Sequence, residues 1–210
     1  MITVIGSLKG GSGKSTVTFN LAVWLSLAGA RLDILDLDPQ ATLRDVVAVR
    51  SDEGFNPVLQ IGGLDKLDSI RSRKSDETLI DVGTANLEAM RKAVSLADRI
   101  VVPVPPSQAD IWSTQRFLKF VTKNSGKRKP EIIGFINRAD THHSVRESDE
   151  AAAALIALPG LDFIKPRLAQ RTAFRRSFSE GLAVFELSAS SKGAREFSKL
   201  CAKLYPEHLS

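Results

Sequence analysis

The sequence has almost no cysteine and no long apolar run. Its single cysteine, Cys201, excludes a disulfide framework and any metal cluster held by several thiolates of one chain. No apolar run approaches the roughly 20 residues that a membrane-spanning helix needs, and no basic-then-apolar leader stands at the N-terminus. We therefore expect a cytoplasmic protein without stable membrane insertion.

Apolar residues are plentiful enough for a large core. They make up 43% of the 210 residues, so the chain can bury a substantial core without disulfides or metals. No long linker, low-complexity tract or repeat interrupts it, and we expect a single domain over residues 1–210. Short Val- and Ile-rich runs alternate with helical patterns, which indicates right-handed βαβ crossovers. The predicted fold is a doubly wound α/β domain: a mostly parallel sheet with helices on both faces.

The boundaries of these elements can be read from the turn residues that flank them. The predicted strands are Ile2–Ile5, Leu32–Leu37, Val58–Ile61, Leu79–Val82, Ile100–Val104 and Ile132–Ile136. The predicted helices are Lys14–Ala28, Asn86–Ala97, Ser107–Thr122, Arg146–Ala157, Thr172–Glu180 and Ser190–Leu204. The segment Arg50–Ser75 is the least regular, and its Gly62-Gly63 pair and mixed charges fit either a short helix or a loop.

The segment Lys9–Thr16, KGGSGKST, lies between the first predicted strand and the first predicted helix. In that setting a glycine-rich turn presents backbone N–H groups at the positive end of the helix dipole, where a polyphosphate binds. Lys14 adds a point charge and Ser15 a Mg²⁺ ligand. The predicted phosphate-binding residues are Gly10, Gly11, Ser12, Gly13, Lys14, Ser15 and Thr16.

A second lysine, Lys9, stands near the start of this loop. With it, the segment resembles the deviant Walker A motif of the ParA/MinD family of P-loop ATPases, which switch between a monomer and an ATP-bound homodimer. The resemblance implies ATP and Mg²⁺ as cofactors and a catalytic role for Lys14. It also implies that Lys9 crosses to the nucleotide of the other subunit, as an arginine finger supplied in trans does. We therefore expect weak hydrolysis by the monomer.

Carboxylates follow two predicted strands, at the edge where the crevice of a parallel sheet opens. Asp36-Leu37-Asp38-Pro39-Gln40 resembles the DxDPQ segment of the family, and alternation places Asp36 and Asp38 on one side of the chain. By resemblance, Asp38 orients the attacking water and Asp36 holds a water of the Mg²⁺ shell. Asp81 follows the pattern of a Walker B aspartate, which holds the Mg²⁺ coordination sphere, although Val82-Gly83-Thr84 departs from the prolines that many relatives have there.

Two polar segments are candidates for further nucleotide contacts. Asn137 follows a predicted strand where family members place an adenine-contacting residue, and an asparagine that caps a turn is an equally good interpretation. The segment Pro103–Asp110 resembles the family's proline-containing turn at the dimer interface, and it also fits a helix start with Ser107 as N-cap. We assign no role to the adjacent His142 and His143.

The net charge of +5 arises from 29 basic and 24 acidic residues, and basic residues crowd the last fifth of the chain. That region resembles the C-terminal part of short ParA-type partition ATPases, whose basic residues meet the DNA backbone in the dimer. Non-specific double-stranded DNA is therefore the expected partner, contacted through phosphates and without base readout. The predicted DNA-binding residues are Arg175, Arg176, Lys192 and Arg195.

The resemblance implies a DNA partition ATPase, associated with the nucleoid and stimulated by a ParB-like centromere-binding partner. No helix-turn-helix extension precedes the loop, so we expect no operator binding. Three alternatives stay open: a MinD-like membrane-associated ATPase, a positioning ATPase for carboxysomes or chemotaxis clusters, and a small-molecule kinase or ligase of the dethiobiotin synthetase type. The apolar stripe that includes Phe197 and Leu204 fits docking on the core better than a membrane tail.

Overall fold

The computed structural model describes residues 1–72, 74–127, 129–141 and 146–208. Within these ranges all strand pairs are parallel, and the sheet order is β3-β2-β4-β1-β5-β6-β7, with β8 paired to the far end of β6. The central strand β1 therefore separates β2–β4 from β5–β8. The strands are β1 (Ile2–Ile5), β2 (Leu32–Asp36), β3 (Ile61–Gly62), β4 (Glu77–Asp81), β5 (Arg99–Val104), β6 (Glu131–Ala139), β7 (Asp162–Phe163) and β8 (Leu168–Ala169).

Helices cover both faces of this sheet. They are α1 (Lys14–Leu27), α2 (Thr42–Asp52), α3 (Leu87–Leu96), α4 (Gln108–Asn124), α5 (Glu147–Ile156), α6 (Thr172–Ser179), α7 (Val184–Leu187) and α8 (Lys192–Leu204), with 3-10 helices at Leu64–Ser72 and Pro206–His208. Ile80 and Val102 pack into a core with α3, α4 and α5. Leu79 and Val101 face the opposite way, into a core with α1, α2 and α8. Strand alternation thus divides the interior into two layers.

The predicted fold class is confirmed, and the six predicted helices are present with ends shifted by a few residues. The strand predicted at Val58–Ile61 was wrong in place, since β3 begins at Ile61. The reason is the buried guanidinium of Arg50, which binds the carbonyls of Asn56 and Pro57 and so holds the chain before β3 out of the sheet. Helix α2 and the two-residue strands β7 and β8 were not predicted.

Candidate functional site

A cavity of about 530 Å³ opens at the carboxyl end of the sheet, around the loop that follows β1. This is the edge at which open parallel α/β sheets bind ligands. Its walls come from the loop and first turn of α1, the segments after β2 and β4, the start of α2, the far end of β6, β8 with α6, and one residue of α8. The lining residues are Gly10, Gly11, Gly13, Lys14, Ser15, Thr16, Val17, Asp38, Gln40, Thr42, Thr84, Ala85, Asn137, Arg138, Leu168, Ala169, Gln170, Arg171, Phe174, Arg175, Phe178, Ser179 and Phe197.

The glycine-rich loop is held in shape by its own glycines and by β6. Gly11 and Gly13 have φ of 74° and 89°, a region that glycine enters without strain. Asn137 donates from Nδ2 to the carbonyl oxygen of Ser12 at 2.6 Å, and Arg138 donates from Nη1 to that of Gly11. A Cβ at Gly13 would overlap the amide of Asn137. Asn137 therefore both lines the cavity and anchors the loop.

Lys14 is enclosed by the loop that precedes it. Its side chain is buried, and its Nζ donates to the carbonyl oxygen of Lys9 at 3.3 Å and to Ser7 Oγ at 3.5 Å. Burial lowers the pKa of Lys14, while the nearby charges of Asp81 and Asp38 oppose that shift. The ammonium thus lies against the loop backbone, at the wall of the cavity, where a phosphate would meet it.

Lys9 points away from Lys14 and towards the start of α4. Its Nζ lies 2.8 Å from Asp110 Oδ2, and the Asp110 carboxylate is buried while Lys9 is 44% exposed. Asp110 also accepts from Ser107 Oγ, and Ser107 Oγ accepts from the Asp110 backbone N–H as the N-cap of α4. The predicted helix start at Ser107 is therefore present, and it positions the carboxylate that holds Lys9.

The two aspartates after β2 have different surroundings. Asp36 is buried behind the cavity, and its two carboxylate oxygens accept from the backbone N–H groups of Asp38 and Arg44 at 3.0 and 3.2 Å. Asp38 lines the cavity, and its Oδ1 accepts from the Gln40 N–H at 3.0 Å. A Cβ at Gly83 would overlap the Asp38 carboxylate. The absence of a side chain at Gly83 thus makes room for Asp38.

Asp81 at the end of β4 faces Ser15 and lies opposite Asp36 in the neighbouring strand. Only 1% of its surface is exposed, and its Oδ2 has no hydrogen-bond partner among the described residues. Burial raises its pKa to about 7, and the nearby Asp36 acts in the same direction, whereas Ser15 and Lys14 oppose the shift. A buried carboxylate oxygen without a partner, beside a hydroxyl that lines the cavity, fits the oxygen ligands and bound waters of Mg²⁺.

Apart from Asn137, the far wall of the cavity was not predicted. Strand β8 pairs with β6 around Arg138, whose φ is 56°, and this irregular pairing brings residues 168–171 to the cavity. Helix α6 follows and contributes Phe174 and Phe178. The available signals were the apolar pair Leu168-Ala169 and the phenylalanines four residues apart, but neither indicates a contact with the phosphate loop 150 residues earlier.

The four residues predicted to bind DNA do not lie together. Arg175 on α6 lines the cavity, and Arg176 next to it is exposed and paired with Glu180. Lys192 and Arg195 are exposed on α8, where Lys199 and Lys203 continue the same face at helical spacing. The opposite face of α8 is fully buried, as the predicted docking on the core requires; it comprises Ala194, Phe197, Leu200, Cys201 and Leu204.

A strand, a glycine-rich loop with a buried lysine, and strand-end carboxylates around one cavity define a P-loop nucleotide-binding protein. Residues 3–184 match the model of the CobQ/CobB/MinD/ParA nucleotide binding domain. The chain belongs to that family, which includes the ParA/MinD ATPases, and the predicted membership is confirmed.

Individual relatives agree over nearly the whole chain. Maintenance of carboxysome distribution protein A from Halothiobacillus neapolitanus is 24% identical over 200 residues, which cover 91% of this chain and 90% of the relative. Protein ParA from Rhizobium radiobacter is 22% identical over 187 residues, or 86% and 83% of the two chains. The septum site-determining protein MinD from Pyrococcus horikoshii, solved with Mg-ADP, superposes with a TM-score of 0.73 at 21% identity over 97% and 95%. This last likeness shows the fold.

Among the described residues, no helix is both long and apolar enough to cross a membrane. The pair His142 and His143, to which no role was given, lies outside the described residues.

Proposed function

We propose that this chain is an ATP-hydrolysing partition or positioning protein whose ATP-bound homodimer binds double-stranded DNA without sequence preference. Hydrolysis, stimulated by a partner protein on the cargo, releases the dimer from DNA. The observation that carries the proposal is the basic face of α8, formed by Lys192, Arg195, Lys199 and Lys203, in the same chain as a phosphate loop with two lysines.

In this proposal the nucleotide is held and polarised without covalent catalysis. Lys14 and the backbone N–H groups from Gly10 to Thr16 bind the β- and γ-phosphates. Asp38 lines the cavity and orients the attacking water. Ser15 and Asp81, with Asp36 behind them, would hold Mg²⁺, which would supply charge neutralisation at the phosphate oxygens. Asn137 contacts the adenine while it supports the loop through Ser12.

Lys9 completes the site of the other subunit. To do so it must leave Asp110, 2.8 Å away in its own chain, so dimerisation exchanges one anionic partner for another. The ATPase rate per subunit of the wild type should therefore rise with protein concentration. Lys9→Ala should remove that rise. ADP affinity should stay within about twofold of the wild type, because an exposed lysine contact contributes little to the binding free energy of the ground state. Unchanged ATPase in Lys9→Ala at every concentration would contradict the trans role.

The basic face of α8 suits DNA because it is exposed and fixed on a helix with a buried opposite face. Glu196, the carboxylate beside this face, is paired with Arg171. Lysine and arginine side chains on such a face meet phosphates in place of condensed counterions, and this makes binding strongly dependent on salt. Arg176, exposed beside Glu180, adds one further cation on α6.

Charge reversal tests this surface directly. Lys192→Glu combined with Arg195→Glu should abolish ATP-dependent binding to a duplex of arbitrary sequence, while ATP affinity and thermal stability stay at wild-type values. The matched control is Lys119→Glu with Lys123→Glu on α4, two exposed lysines on the other side of the sheet. Equal loss in both double variants would mean that net charge alone governs binding, and the proposed face would be wrong.

The proposed cargo is suggested by the names of the relatives, since the site itself does not indicate one. Names among the relatives include both a carboxysome distribution protein and a ParA, so we propose a plasmid, a chromosome or a protein assembly as cargo, with a ParB-like partner in the first two cases. The proposed location is cytoplasmic and nucleoid-associated. A MinD-like use of α8 as a membrane tail is disfavoured because its apolar face, Phe197 to Leu204, is already buried in the core.

A further inference from the structure

Two consecutive arginines on α6 have different surroundings. Arg175 lines the cavity that contains the phosphate loop. Arg176 faces outwards, and its Nε lies 2.8 Å from Glu180 Oε1 one turn further along the helix. Because consecutive side chains on a helix point about 100° apart, Arg175 can face the cavity while Arg176 faces the solvent. The pair therefore does not act as one basic patch.

Among the described residues, four cationic side chains lie in the cavity wall, and three of them have partners. Lys14 contacts the loop carbonyl of Lys9, Arg138 donates to Gly11, and Arg171 is paired with Glu196 through both Nε and Nη2. Arg175 has no hydrogen bond and no ion pair with any described residue. It is thus the arginine of the cavity wall whose five donors are free for a ligand.

Helix α6 is fixed at both ends, although only Ser177 on it is buried. Before the helix, Glu196 of α8 holds the Arg171 side chain and the Ala169 N–H, the latter at 3.1 Å. After it, the Gly181 carbonyl oxygen accepts from Arg50 Nη1 at 3.1 Å. The φ of Gly181 is 70°, and its close approach to the α2 backbone leaves no space for a Cβ. An exposed helix clamped in this way can hold a charged side chain over a cavity with little loss of entropy on binding.

We propose that Arg175 is a nucleotide-binding residue, whose guanidinium contacts the phosphates of the nucleotide in the cavity. The neighbouring Phe174 and Phe178 give the same wall apolar surface for the base and ribose, so the guanidinium is left for the anionic part. This inference rests on the nucleotide-binding site of the proposed function, and it removes Arg175 from the DNA-binding set.

The test compares adjacent single variants in nucleotide titrations without DNA. Arg175→Ala should weaken ATP and ADP binding about tenfold or more, the usual size of a lost charge-assisted hydrogen bond, and adenosine binding much less. Arg175→Lys should recover part of the loss. Arg176→Ala is the control and should bind all three ligands as the wild type does. Thermal unfolding of each variant checks that α6 remains folded.

A second measurement distinguishes a nucleotide contact of Arg175 from a DNA contact. At saturating ATP, Arg175→Ala should bind duplex DNA like the wild type. Wild-type nucleotide affinity together with lost DNA binding would overturn the inference and restore Arg175 as a DNA contact. Equal losses for ATP and adenosine would overturn the phosphate contact. A wild-type protein that binds no nucleotide would instead contradict the proposed function itself.

Discussion

At Asp81, burial favours the protonated carboxyl, whereas Mg²⁺ binding needs the ionised carboxylate. Burial raises the pKa of this carboxyl to about 7, with Asp36 adding to the shift, whereas an unfolded aspartate titrates near pKa ~3.9. Between these values the folded chain binds more protons than the unfolded chain, so stability falls as pH rises through that window. The ionised form is the one that Mg²⁺ needs, and the fold therefore gives up stability to hold it.

The resulting prediction concerns Asp81→Asn, which keeps the shape of the side chain and cannot ionise. In chelator and without nucleotide, the variant should gain stability relative to the wild type as pH rises from about 4 to about 7, by a few kcal/mol at most (roughly 1.4 per pKa unit). Urea unfolding at each pH measures this difference. Parallel pH curves for the two proteins would show that Asp81 has an ordinary pKa.

Gly83 gives a second prediction, because the only space a side chain would have is occupied by the Asp38 carboxylate. Gly83→Ala should displace Asp38 and lower ATP hydrolysis about tenfold or more, since small misplacements of positioning groups are costly. ADP affinity should stay close to the wild type because the phosphate loop is untouched. Steady-state ATPase and ADP titration check both parts, and an unaltered ATPase rate would contradict the role given to Asp38.

At the scale of single residues, the sequence indicates candidates that belong to one local motif, and of these Lys14, Ser15 and Asp38 line the cavity. Lys9, Lys14, Ser15, Asp38 and Asp81 were placed because each follows a strand in a known order. Arg138 and Arg175 were not recognised as parts of the cavity wall, because their positions depend on the pairing of β6 with β8 and on two clamps between distant segments.

Helix α2 shows why an element can be missed. Its buried positions, Leu43, Val46, Val47 and Arg50, follow the helical spacing, but the last of them is an arginine that counts as polar in any pattern. The Ala41 N-cap offers no side-chain hydrogen bond either. The interior accepts Arg50 because all five guanidinium N–H groups are satisfied, a condition that only the tertiary structure meets.

Substitution of Arg50 therefore tests how much the contacts between α2 and the C-terminal segment contribute to stability. It is 1% exposed, with Glu186 2.8 Å away and carbonyls from Asn56, Pro57 and Gly181 as further acceptors. Arg50→Met should reduce the free energy of unfolding by about 3 kcal/mol or more, because it leaves a carboxylate and three carbonyls without their donor. Denaturant unfolding measures the loss.

Two further variants separate the contributions. Arg50→Met with Glu186→Gln should recover part of the stability, since the unpaired charge of the partly buried Glu186 carboxylate is then gone. Arg31→Met removes an exposed pair with Asp76 and serves as control; it should change stability little, as surface ion pairs do. A loss at Arg50 no larger than that at Arg31 would contradict the anchoring role.

For the whole molecule, the fold could be predicted because alternating strands and helices leave few topologies, and right-handed crossovers leave fewer. Only part of the cavity could be predicted. Its phosphate side is built by residues that follow β1, β2 and β4, whereas its far side combines the end of β6, where only Asn137 was predicted, with β8 and α6. That side is created by long-range packing, and short elements such as β8 carry too few residues for a pattern.

The central claim links the nucleotide cavity at the carboxyl edge of the sheet to the basic face of α8, and binding of the full chain to duplex DNA of arbitrary sequence tests it most directly. Binding should require ATP, be weak with ADP or no nucleotide, and fall about a thousandfold or more between about 50 and 200 mM salt if a dimer engages both basic faces. DNA binding that ignores the nucleotide, or none with ATP while ATP still dimerises the protein, would contradict the account.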